Sequence, residues 1–452
     1  MTLKPVFPVI ALLLAGCAVG PDFQTPQASL QQRFVGGSAA EIGAVAQKRW
    51  WQDYRDPMLN DLVGRGLSQG LDMVAAIERI QQAQANLRAT GVNSALSGNL
   101  TASQTRSGGD GMVTGNSGSA QLGAGFVIDL FGGIQREREG ATARLAGAQA
   151  DAETTRLAWL AELVAAYSNA RYYQGALALT RNTIATRKET VAITKQRFEL
   201  GDATEYELAQ ADALLATARA ALPQYLALFN ANVFAIGTLL NEPSGPIMAR
   251  MQKGAPQLRT PAGSATGLPA ELLRNRPDVR SAELALAAAV ADVGVAESDL
   301  YPALSLTGNL GRTSGANSWS FGPALTLPVF NQGALKAARD ARISLAKQAE
   351  IEWRAQVLSA VEDVQLAQSN LSQYRSRAAA LRRAAASYEK ALTLARENYR
   401  AGAITLLDLL DTDRSAAAAR VSAASAVNDA AQAWASLQLA IGAGAGAATA
   451  PR

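Results

Sequence analysis

Arg197-Phe198-Glu199-Leu200-Gly201-Asp202-Ala203-Thr204 has a counterpart far downstream in Asn398-Tyr399-Arg400-Ala401-Gly402-Ala403-Ile404-Thr405. Other landmarks repeat around this pair. Phe126 to Gly133 (FVIDLFGG) parallels Leu325 to Gln332 (LTLPVFNQ), and Ala95-Leu96-Ser97 parallels Ala303-Leu304-Ser305. Asp72 and Asp278 open similar Ala-rich runs. The landmarks keep their order and nearly their separation, so the chain is an internal doublet. Each half reads as helix, two strands, long helix, turn, helix.

The run from Ile134 to Leu200 has helix-forming composition and no proline, and Gly201 is placed to end it in the left-handed conformation. A helix of that length would span about 100 Å, at roughly 1.5 Å per residue. The second half offers Ala334 to Ala401, stopped by Gly402. Helices this long must bury their faces against similar helices. Their apolar spacing is irregular and alanine-heavy, so no strict heptad is claimed, and several shorter helices remain the alternative. The Pro/Gly/Ser-rich stretch from Pro243 to Pro269 reads as an exposed linker between the halves.

Before each long run the pattern changes to period two. Ala120, Leu122, Ala124, Phe126, Ile128 and Leu130 alternate with Ser119, Gln121, Gly123, Gly125, Val127 and Asp129. Trp319, Phe321, Leu325, Leu327 and Val329 share a face against Ser320, Gly322 and Thr326. Strands are expected at about 95–106, 118–131, 303–313 and 318–330, with the Gly/Ser/Asn-rich segments Gly108–Gly118 and Thr313–Ser318 as loops. Alternation over about ten residues suits a tilted membrane strand with lipid on one side and water on the other. It also describes a half-buried strand of a soluble sandwich. Four strands cannot enclose a channel, and a membrane barrel tolerates no open edge. A membrane reading therefore requires several chains to share one barrel.

Composition narrows the function classes. The chain of 452 residues is 48% apolar and 18% charged, with a net charge of +4. No basic stripe with interleaved aromatics argues for nucleic acid. There is no histidine and one cysteine, which removes most metal sites and nucleophile–base pairs. No catalytic or metal-ligating residue is assigned, and no cofactor is expected. That cysteine follows Lys4, an apolar core from Val6 to Leu14, and Leu14-Ala15-Gly16. This start resembles a bacterial lipoprotein signal, which implies that Cys17 carries a diacylglyceryl group and an N-acyl chain. Ala18 at the next position implies sorting to the outer membrane.

Cys17-Ala18-Val19-Gly20-Pro21-Asp22-Phe23, Trp50-Trp51 with Asp56-Pro57, and Arg276-Pro277-Asp278-Val279-Arg280 followed by Tyr301-Pro302 carry a wider likeness. Together they resemble the TolC-like outer-membrane efflux factors, in the lipoprotein branch serving resistance–nodulation–division pumps. The resemblance implies an α+β membrane protein in which three chains each give four strands to a twelve-stranded barrel, continuous with a periplasmic α-helical barrel. It implies a homotrimer in outer-membrane lipid, a periplasmic adaptor and an inner-membrane pump as partners. An exit duct for type I protein secretion is the alternative.

The resemblance also implies a gate at the periplasmic end. Acidic rings fall on Asp408 and Asp411, an apolar constriction on Leu407, and Arg414 is placed to pair with Asp411. Tyr399 matches a gate-restraining tyrosine and Glu207 its acidic partner, while Ile404 stands where an arginine often strengthens the restraint. Gly201 and Gly402 lie at the turns that would meet the adaptor. The expected organisation is a signal peptide at 1–16, a lipidated extended segment at 17–58, repeats at 59–242 and 269–441, a linker or equatorial segment at 243–268 and a flexible tail at 442–452.

Overall fold

The computed structural model describes residues 18–25, 45–261 and 276–446. Cys17, the signal segment, residues 26–44 of the expected lipidated segment, residues 262–268 of the expected linker, residues 269–275 of the expected second repeat and residues 447–452 of the expected tail lie outside the described residues. Helices α1 (Pro57–Gln69), α2 (Leu71–Arg88) and α3 (Val92–Ala95) lead into strands β1 (Leu96–Gly109) and β2 (Met112–Ile128). Helices α4 (Gly133–Glu199), α5 (Glu205–Leu240) and α6 (Ser244–Met251) follow. The second half repeats the order with α7 (Pro277–Ser298), β3 (Ala303–Thr313), β4 (Ala316–Thr326), α8 (Gln332–Arg400) and α9 (Leu406–Ala440).

Two compact units are formed. One comprises Met1–Ser29, Ala76–Ala152 and Asp278–Leu358, and the other comprises Leu30–Ala75, Glu153–Pro277 and Ser359–Arg452. The first holds a four-stranded antiparallel sheet in the order β1-β2-β3-β4. Its register puts Leu100 opposite Leu122, Leu122 opposite Leu310, and Leu310 opposite Trp319. Directly paired residues share a face, so the apolar alternation of all four strands falls on one side. Ser103, Ser119, Gln121, Asn309 and Ser320 lie on the other. Among the described residues nothing covers the apolar side: Leu100 is 72%, Trp319 81% and Phe321 71% exposed.

The strands differ from the sequence expectation at both ends. Gly108–Gly118 and Thr313–Ser318 are mostly strand, closed by tight turns at Asp110-Gly111 and Ser314-Gly315. Positive φ at Ser314 (49°) and Gly315 (92°) makes the second a hairpin turn of the primed type. A ladder is made by backbone groups, so a polar segment can extend it, and hydroxyl pairs such as Ser103–Ser119 (2.8 Å) support it. At the other end β4 stops at Thr326, which pairs with Ala303, the first residue of β3.

In the first unit Ala18 is seated where a Cβ on Gly132 would come within 2.5 Å of it. The Val19 N–H donates to the Phe131 carbonyl, and the buried Arg136 pairs with Asp22 (2.6 Å).

The second unit holds the largest core, built on Trp50, Trp159, Tyr167, Leu59, Leu62, Ile236 and Met251. Trp50 and Tyr54 meet Trp434 edge-on at 5.7 and 4.9 Å. Two sequence expectations fail here. The stretch after Pro243 is not simply an exposed linker, since α6 buries Ile247 and Met251 and the chain beyond buries Leu258. Pro246 sits in the first turn of α6, where it removes no helical hydrogen bond, so its presence did not signal a break. The start of the tail is likewise packed. Ala443 and Ala445 are buried, the Trp50 indole N–H donates to the Ala443 carbonyl, and Gly444 leaves room for both tryptophan rings.

Candidate functional site

The two repeated octets form the same turn. Gly201 (φ 84°) accompanies bonds from the Asp202 N–H to the Arg197 carbonyl (2.8 Å) and from the Gly201 N–H to the Phe198 carbonyl (3.0 Å). Gly402 (φ 72°) has the matching pair, Ala403 to Asn398 (2.8 Å) and Gly402 to Tyr399 (3.1 Å). These are Schellman closures, for which a residue without a Cβ is strongly favoured. Thr204 and Thr405 then cap α5 and α9, each in a reciprocal capping box with Glu207 or Asp408.

The boxes decide what two of the candidate gate carboxylates do in this chain. Asp408 accepts from the Thr405 hydroxyl (2.7 Å) and N–H (3.1 Å), and these bonds hold its carboxyl below the usual range. Glu207 accepts from the Thr204 N–H (2.7 Å), then from the Thr204 hydroxyl (3.0 Å), and is lowered by both and by the nearby Arg197 charge. Among the described residues no hydrogen bond joins Tyr399 to Glu207 within the single chain, where Glu207 bonds Thr204 of its own cap. The Arg197 guanidinium lies 5.2 Å from the centre of the Tyr399 ring instead. Arg197 thus stands between the two residues that sequence reasoning paired directly.

Leu407, Asp411 and Arg414 share an exposed stripe of α9, at spacings of four and three. Arg414 donates to Asp411 at 2.6 Å within the helix, with both side chains more than 60% exposed. Such a pair contributes about 0–1 kcal/mol. Leu406, Leu409 and Leu410 point the other way, into a core with Leu392, Tyr399 and Ala416.

On that buried side lies a residue the sequence reading passed over. Asp413 is 8% exposed and pairs with Arg187 of α4 at 2.7 Å and with Arg396 of α8 at 3.7 Å. Arg187, itself buried, also donates to the Leu214 carbonyl of α5 at 2.9 Å. One charge cluster therefore touches all four helices near the turns. Its signal was present: Leu406, Leu409, Leu410, Asp413 and Ala416 follow helical spacing, and a carboxylate on an apolar stripe must find a partner.

No side-chain group of three or more metal-ligand types gathers among the described residues. The sequence profile of the outer membrane efflux protein family matches residues 62–242 and 268–443, one segment in each half of the doublet. The chain belongs to the outer membrane efflux protein family. This efflux protein is 35% identical to nodulation protein T of Rhizobium leguminosarum bv. trifolii, over 97% of the chain and 96% of that protein. It is 31% identical to the probable efflux pump outer membrane protein TtgC of Pseudomonas putida, over 74% and 73%. Its fold matches that of the outer-membrane channel OprN, with a TM-score of 0.81 and 30% identity over 95% of this chain and all of that one. The fold class is that of trimeric outer-membrane channels with a β-barrel and an α-helical barrel. The efflux protein is the outer-membrane channel component of an efflux system rather than a secretion duct.

Proposed function

We propose that three copies join β1 of one to β4 of the next, closing a twelve-stranded barrel in the outer membrane around a passive exit duct. The observation that carries this is the sheet itself: one face apolar and bare, the other polar, and two outer edges with no strand partner among the described residues. In hydrocarbon each unpaired backbone group would cost several kcal/mol, so an isolated sheet cannot remain there. Closure among copies satisfies the edges and turns the polar face onto water.

Lipidated Cys17 anchors each copy in the outer membrane. The turns at Gly201 and Gly402 meet a periplasmic adaptor, which couples the duct to an inner-membrane pump of the resistance–nodulation–division class. Drugs, toxic compounds or metal ions pass as cargo, and the chain needs no cofactor and catalyses no step. Leu407 and Asp411 form the constriction, Arg414 tempers its charge, and Asp408 contributes chiefly through its cap. Tyr399 and Glu207 restrain the hairpins through Arg197.

Planar-bilayer recording of the purified protein tests this reading. Discrete channels are expected, with cation selectivity that weakens in Asp411→Ala as a ring of three charges is lost. Absence of any conductance from inserted protein would contradict the duct, and unchanged selectivity would remove Asp411 from the constriction.

A further inference from the structure

Within the four strands only two side chains are charged, Arg106 on β1 and Arg312 on β3. Both project from the apolar face. Arg312 stands two residues beyond Leu310, opposite Ala120 and Asn317, and Arg106 stands six residues beyond Leu100, opposite Asn116. Both lie toward the hairpin turns, away from the strand ends that continue into helices. Trp319, 81% exposed, precedes the Asn317–Arg312 pair on the same face. The polar face, where a cation would meet water, carries no charge at all. Among the described residues neither arginine has an ion pair or a side-chain hydrogen bond.

This placement is unexpected for a lipid-facing surface unless the cations reach beyond the hydrocarbon. Arginine on a barrel's lipid face is strongly unfavourable at mid-membrane and nearly neutral at the interface. A band of Leu and Phe, then Trp, then Arg matches the passage from acyl chains to headgroups. The planar guanidinium fork fits phosphate oxygens in a bidentate manner. Resting on the barrel reading above, the hairpin turns face the exterior, so these headgroups belong to the outer leaflet.

We propose that Arg106 and Arg312 bind phosphate groups of the phosphorylated glycolipid of the outer leaflet, so that each trimer carries a rim of six lipid-gripping guanidinium groups. The full-length protein in detergent can be offered bis-phosphorylated lipid A or the same lipid stripped of phosphate, and retained lipid counted by native mass spectrometry. Wild type is expected to retain roughly tenfold more of the phosphorylated lipid, the size of effect that charge-assisted bidentate pairing supports. Arg106→Gln with Arg312→Gln should erase that preference, and the double Lys variant should keep part of it. Equal retention of both lipids by wild type overturns the proposal, even if the variants fail to assemble. A preference that survives the double Gln change overturns it as well. A wild-type chain that never associates in detergent refutes the barrel reading itself, which is a separate result.

Discussion

The two hairpin turns share one backbone and differ in what surrounds it. Both close through a glycine at positive φ and open the next helix with a threonine capping box. At the first turn Phe198 is 41% exposed and Glu205 is exposed, whereas their counterparts at the second, Tyr399 and Leu406, are buried at 5% and 1%. The doublet thus preserved the element that stops and restarts a helix, while the side chains diverged. One turn kept a bare surface, suited to a partner, and the other became a packed hub held by Asp413. Backbone geometry here depends on a few small or capping residues. Packing depends on every residue around them.

That contrast can be broken most severely at the hub. Asp413→Ala leaves Arg187 buried without its carboxylate and is expected to destabilise the protein by about 3–5 kcal/mol, read by denaturant unfolding of the assembled protein. A change below about 1 kcal/mol would show that the pair is peripheral to the fold. The caps come next. Thr204→Ala and Thr405→Ala should each cost about 1 kcal/mol, and nearly the same amount, because the two boxes are equivalent. Unequal losses would mean that the packing around Leu406 adds to the second cap.

The caps also set an acid response. Asp408 and Glu207 are both held below their ordinary values by the threonines, so their contribution is fully present above those ordinary values. It is lost as the pH falls through the depressed ones. Protection factors at the two turns, with the intrinsic pH dependence of amide exchange divided out, should therefore fall only under strongly acidic conditions, and a fall near neutral pH would contradict the sign. The smallest effect is expected from Tyr399→Phe. Its ring keeps the contact with Arg197 while only a hydroxyl that does not bond Glu207 is lost, so the change should stay within about 0.5 kcal/mol. A loss above about 1 kcal/mol would restore the direct tyrosine–acid link.

Much of this was legible in the sequence, for identifiable reasons. The repeated octets fixed both turns because Gly201 and Gly402 are demanded by local backbone geometry. The long helices followed from an unbroken run without proline, observed as Gly133–Glu199 and Gln332–Arg400. The sheet face was readable because period two assigns every Leu and Phe to one side. What escaped depends on tertiary neighbours. The burial of Ile247 and Met251 was hidden by flanking Pro and Gly, and the packing of Gly444 against Trp50 joins distant parts of the chain. Asp408 and Glu207 were recognised as candidate residues, but their hydrogen bonds to Thr405 and Thr204 were not, although a threonine three residues before an acid signals a capping box. Asp413 sits on a legible apolar stripe, but its role depends on Arg187 and Arg396, which reach it from other helices.

The central claim is that the four-stranded sheet is an incomplete wall, finished by copies of the same chain. Counting chains per particle by native mass spectrometry of the detergent-solubilised protein tests it most directly. The account predicts three chains per particle with little free monomer. A stable single chain in both detergent and lipid would contradict it.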